Sequence, residues 1–153
     1  MPRLQFDLPD EFAFSTELEV YFSHLNWANH LDNAQLLTLV GEGRVRFFRA
    51  LGYTEADIEG CSIVVADQLV LYRAEAFHGE TLVLSMTPCD FNKRGFDLAW
   101  QIRKQRGGLE VARGKLGIVF IDLGTKRPVA LPQAFLSRLQ DRGFVASDEE
   151  ALA

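Results

Sequence analysis

Residues 32–52, DNAQLLTLVGEGRVRFFRALG, hold the pattern that decides the architecture. Leu36, Leu37, Val40, Phe47, Phe48 and Leu51 fall on one face at 3.6 residues per turn, so the stretch reads as one long amphipathic helix. Asp32 suits the N-cap, where a short acceptor side chain takes backbone N–H groups that lack a helical partner. Gly52 suits the position just past the end, where left-handed backbone closes a helix. Gly41 and Gly43 stand mid-helix, each costing up to about 1 kcal/mol relative to Ala. Their presence predicts that another backbone passes close to this turn.

Before the helix, Leu18–Phe22 is a short apolar and aromatic run that reads as a first strand, and residues 23–29, SHLNWAN, form a loop. After Gly60 the periodicity becomes strand-like in four segments, Ser62–Tyr72, Thr81–Phe91, Phe96–Lys104 and Val111–Asp122. The separators HGE, NKRG and RGG are short, so these strands run mostly antiparallel. Pro128 and Pro132 end the sheet, Gln133–Arg142 reads as a short helix, and the acidic tail SDEEALA frays. A strand, a long helix and four antiparallel strands make an α+β arrangement whose sheet must bury one face on that helix. A curled sheet wrapped around the helix satisfies this demand.

The 153 residues are expected to form one domain spanning 1–153, with its core at about 18–140. With 48% hydrophobic and 24% charged residues the chain is globular in character, and no stretch reaches the roughly 20 apolar residues of a membrane span. Sixteen Lys and Arg against 21 Asp and Glu give a net charge of −5, the wrong sign for nucleic acid or anionic lipid. An anionic ligand must therefore be held by a local basic cluster. Cys61 and Cys89 lack C-x-x-C spacing, so a disulfide framework and a zinc site are not expected, and two buried thiols in a reducing cytoplasm are.

Four stretches in order carry a family likeness: NWANHLDN at 26–33, EGR at 42–44, YRAEAFHGETL at 72–82 and RPVALP at 127–132. The chain resembles the hot-dog-fold acyl-CoA thioesterases of the 4-hydroxybenzoyl-CoA thioesterase type over about Val20 to Leu139. The resemblance implies a five-stranded antiparallel sheet wrapped around one central helix. It also implies sites built between subunits of a homodimer, with homotetramers formed from two dimers, and no cofactor beyond the coenzyme A of the substrate. The family's catalytic aspartate falls on Asn26 and its loop glycine on Asn29. An amide has no basic lone pair near neutral pH, so Asn26 can orient a carbonyl or a water but cannot be the base.

Some hot-dog thioesterases carry the working carboxylate about fifteen residues further on, which points to Glu42. Its ordinary role is a solvated-face pair with Arg46 at i,i+4; its functional role is base or nucleophile in the partner's site. Asn33 matters for its backbone N–H, which by resemblance is the oxyanion-hole donor at the start of the helix. Phe22 and Trp27 bracket the loop as candidate acyl or aryl pocket walls, and His30 is a candidate substrate contact. Lys93 and Arg94, an ordinary hairpin tip or a coenzyme A phosphate site, complete the set. Acyl-CoA hydrolysis is the leading expectation. A non-hydrolytic acyl-CoA-binding protein is the alternative, with a hot-dog hydratase behind it, because Leu25 and Trp27 stand where a hydratase carries Asp and Asn.

Overall fold

The computed structural model describes residues 1–145, and the acidic tail lies outside the described residues. The elements are β1 (Phe14–Glu19), a 3-10 turn (Phe22–His24), α1 (Asn33–Ala50), β2 (Ser62–Tyr72), β3 (Thr81–Cys89), β4 (Gly95–Lys104), β5 (Glu110–Ile121) and α2 (Gln133–Asp141). The strands form one sheet in the order β1-β3-β4-β5-β2, antiparallel throughout. This is the expected helix-wrapping sheet.

Alternation along β4 shows how the wrap is sealed. Phe96, Leu98, Trp100 and Ile102 point inward and are fully buried, meeting Leu36, Val40, Phe47 and Phe48 of α1 in one core. The α2 residue Phe135 closes the far end against Phe48, Phe96 and Phe120 with ring centroids 5.2–6.1 Å apart. On the outer face Lys115 bridges Asp67 at 2.9 Å and Asp97 at 3.3 Å. There the Arg113 guanidinium also donates to the Phe6 carbonyl, tying down the N-terminal segment.

Three expectations are corrected. The first strand lies earlier than Leu18–Phe22: Thr16 and Leu18 alternate inward from β1, while Tyr21 and Phe22 are exposed at the turn beyond it. What crowds Gly43 is not a backbone but the Leu84 side chain of β3, which a Cβ there would strike; around Gly41 the space is open. The thiols of Cys61 and Cys89 are half-buried rather than buried. No helix among the described residues is long and apolar enough to cross a membrane.

Candidate active site at the head of the central helix

At the end of β1 the chain enters a loop pinned by its own hydrogen bonds. The Asn26 side-chain oxygen accepts from the Ala28 N–H at 2.9 Å and the His30 N–H at 3.4 Å, and the Asn26 N–H donates to the His30 carbonyl at 2.9 Å. Asn29 occupies the left-handed region with φ 65°, which explains how it replaces a glycine: Asn tolerates this backbone better than most residues. The Leu31 N–H then donates to the Ala76 carbonyl at 2.8 Å, and His30 bridges Phe77, so the loop is fastened to the turn that follows β2.

The helix starts against this turn. The Asp32 carboxylate accepts from the N–H groups of Ala34 and Gln35 at 2.9 and 3.2 Å, which leaves the Asn33 N–H, at the first helical position, without an intrahelical acceptor. The Asn33 carbonyl is held by the Tyr72 phenol at 2.9 Å. Burial and the Asp32 carboxylate push the Tyr72 hydroxyl above its ordinary range, so it stays protonated and donating at neutral pH. Asn26, His30, Asn33, Leu36, Tyr72, Glu75 and Val111 line a cavity of about 450 Å³. Within it the His30 ring contacts the Leu31 carbonyl through Nδ1 at 3.3 Å and faces Glu75 Oε1 through Nε2 at 3.6 Å.

The expected site residues divide. Asn26, His30 and Asn33 come together in this cavity. Glu42 lines a different one, about 630 Å³, on the flank of α1 that faces β1, together with Glu17, His24 and Thr38. There it pairs with Arg46 at 3.0 Å, and Arg46 also donates to the Thr16 hydroxyl and the Glu17 carbonyl. Phe22 and Trp27 are 77% and 93% exposed, so neither walls a pocket within one chain. Lys93 and Arg94 sit at the β3–β4 tip, the opposite end of the sheet, where the Arg94 guanidinium donates to the Pro128 carbonyl. Nine residues of β3 put that tip about 30 Å from the loop end.

Tyr72 and Glu75 are the residues that sequence reasoning missed. Both lie in the stretch 72–82, whose residues carry a family pattern but no local sign of a site; their signal is that a turn after a strand end meets the loop before the helix. Among the described residues no group of three or more His, Cys, Asp or Glu is placed to hold a metal ion. Cys89 is a poor nucleophile, its thiol pushed up to about 11 by burial and by the carboxylates of Asp90 and Asp97.

Solved structures share this chain path. A 1,4-dihydroxy-2-naphthoyl-CoA thioesterase from Synechocystis superposes with a TM-score of 0.76 at 19% identity, over 84% of this chain and 96% of that one. A Staphylococcus aureus protein solved in complex with CoA gives 0.76 at 16% identity, over 90% and 87%. A probable thioesterase from Escherichia coli gives 0.68 at 23% identity, over 84% and 97%. At such identities the likeness establishes the hot-dog fold. No curated protein matches the chain. The model of the thioesterase-like superfamily, however, matches residues 20–139, from the end of β1 into α2 and across every residue that lines the cavity at the head of α1, and the chain belongs to that superfamily.

Proposed function

We propose that the protein hydrolyses the thioester of a small or medium acyl- or aryl-coenzyme A at the head of α1. The observation that carries this reading is the Asn33 N–H, left free by the Asp32 cap in a cavity that also holds His30 and Glu75. A backbone donor at a helix N-terminus stabilises the oxyanion that forms when a thioester carbonyl is attacked. With its Nδ1–H donating to the Leu31 carbonyl, His30 keeps a lone pair on Nε2. A water beside Nε2 and Glu75 Oε1 donates one O–H to each, since the two atoms stand 3.6 Å apart. Its oxygen attacks the carbonyl carbon as its proton passes to Nε2. The C–S bond then breaks, and the thiolate leaves as thiol with that proton. Asn26 holds the loop in register through its two accepted hydrogen bonds.

A CoA-bound neighbour of the same fold supports the ligand class. The assembly in this reading is a homodimer, because β1 and β2 are open sheet edges that pair with β3 and β5 alone. Glu42 lies on the β1 flank with Arg46 and is about a quarter turn of helix away from Gly41, whose outer side is open. A partner's Glu42 enters the chemistry only if two copies meet along the β1 flank. Binding without hydrolysis is the second reading, favoured by Asn26, whose side-chain oxygen serves the loop where the family carries an acid. A panel of acyl-CoA thioesters with thiol release as readout separates the two. Turnover of at least one that His30→Gln abolishes supports hydrolysis, whereas tight binding of every thioester with no thiol release selects the second.

A further inference from the structure

The proposed substrate is anionic and the chain is not cationic, with a net charge of −5, so its phosphates need a local site. Two basic turns compete for this role. Lys93 and Arg94 stand about 30 Å along β3 from the head of α1. From thioester sulfur to first phosphorus, coenzyme A runs about thirteen covalent bonds, the length of about four extended peptide residues, or about 15 Å. A thioester seated at Asn33 cannot reach Lys93 of the same chain.

The second basic stretch, Arg103 to Arg106, runs from the end of β4 into the turn toward β5, at the same end of the sheet as the Asn26 loop. Beside it His78, Glu80, Thr81, Gln105 and Arg106 line a cavity of about 350 Å³. Its carboxylate is already engaged: Glu80 accepts from Lys104 Nζ at 3.1 Å and from the Phe77 N–H at 2.7 Å. Gln105 is held by Glu17 at 2.7 Å. The Arg106 side chain has no hydrogen-bond or ion-pair partner among the described residues, and neither has the side chain of Arg103, three residues earlier near the end of β4. Thr81 opens β3 and Tyr72 closes β2; in the order β3-β4-β5-β2 these ends are three strand spacings apart across the sheet, about 14 Å, and the register, which sets Tyr72 level with Leu84, puts Thr81 about 10 Å further along it, roughly 17 Å in all. The separation of the two cavities is thus comparable to the length of a pantetheine arm. The turn at 73–80 lines both, with Ala76 in one and His78 in the other.

We propose that the cavity between His78 and Arg106 binds the phosphates of the coenzyme A thioester whose reacting carbonyl lies at Asn33, a site that rests on the hydrolysis reading but is testable without it. Calorimetric titration of the full chain with coenzyme A and with pantetheine, repeated for Arg106→Ala, Arg106→Glu and His78→Ala, reads the site directly. The expected result is a loss of coenzyme A affinity of roughly tenfold or more for either Arg106 variant, the scale of one charge-assisted hydrogen bond. Pantetheine affinity stays unchanged, and only the coenzyme A affinity of the wild type falls with added salt. In kinetics with one acyl group carried on both thiols, the same variants raise KM for the acyl-CoA alone and leave kcat intact. Equal effects on both ligands, unaltered coenzyme A affinity in Arg106→Glu, or no coenzyme A binding by the wild type overturns the proposal. Phosphate-dependent binding without any thioester turnover keeps this site and removes the hydrolysis reading.

Discussion

The cavity at the head of α1 and the one on its β1 flank are both polar and both reach the helix, yet their hydrogen bonds are arranged oppositely. On the flank, Arg46 gathers Glu42, the Thr16 hydroxyl and the Glu17 carbonyl into one set of hydrogen bonds. At the head the cap takes two of the first three helical N–H groups and leaves the third, and His30 and Glu75 stand just beyond hydrogen-bond distance of each other. Groups whose bonding is complete hold a structure; groups left incomplete at a cavity are free to hold a substrate. The carboxylate that the sequence made most suggestive, Glu42, is on the side that Arg46 holds.

Four tests probe this contrast, the largest effect first. Asn33→Pro removes the free N–H while suiting the first helical position, since Asp32 already has the extended backbone, φ −66° and ψ 144°, that proline demands of its predecessor. Hydrolysis should fall by about 10²–10³-fold with helicity by circular dichroism unchanged. Full activity in this variant would remove the oxyanion role. Next, His30→Gln should lower kcat by about 10²-fold or more in stopped-flow thiol release, and Glu75→Gln by less. A larger effect at Glu75 would reverse their roles.

The two helix glycines give a third, paired test read by denaturant unfolding. Gly43→Ala should destabilise by about 1–3 kcal/mol, because its methyl meets Leu84. Gly41→Ala should stabilise by up to about 1 kcal/mol in open space. A loss at Gly41 would mean that a second copy packs there. The smallest effect is expected of Glu42→Gln, which breaks an exposed ion pair and should change kcat less than twofold. A 10²-fold loss would bring a partner's carboxylate into the site and undo the contrast between the two cavities.

Much of the fold was legible because its signals are local. The Asp32 cap, Gly52 with φ 89° and the bounds of β2 lie where the sequence pattern predicts them, since capping and side-chain alternation act over a few residues. The first strand was misread because two exposed aromatics, Tyr21 and Phe22, mimic the apolar run of a strand. The loop and the candidate donor were also legible, through NWANHLDN. Glu75 was not, since it reaches His30 only when a turn 45 residues later folds back on the loop.

The sequence by itself determined an α+β chain with a capped central helix, antiparallel strands and a loop that leaves a backbone donor at the helix start. Tertiary structure alone decided which charged residues share a cavity. NKRG and RKQRGG are both basic stretches between strands in the sequence, and strand direction sends one to each end of the sheet. Glu42 and Gly41 are neighbours in the chain, yet helical rotation sends the carboxylate toward Arg46 and leaves the glycine facing open space. Periodicity and caps are written in adjacent residues, whereas a site is a meeting of distant ones, and its geometry exists only once strand order and helix rotation are set.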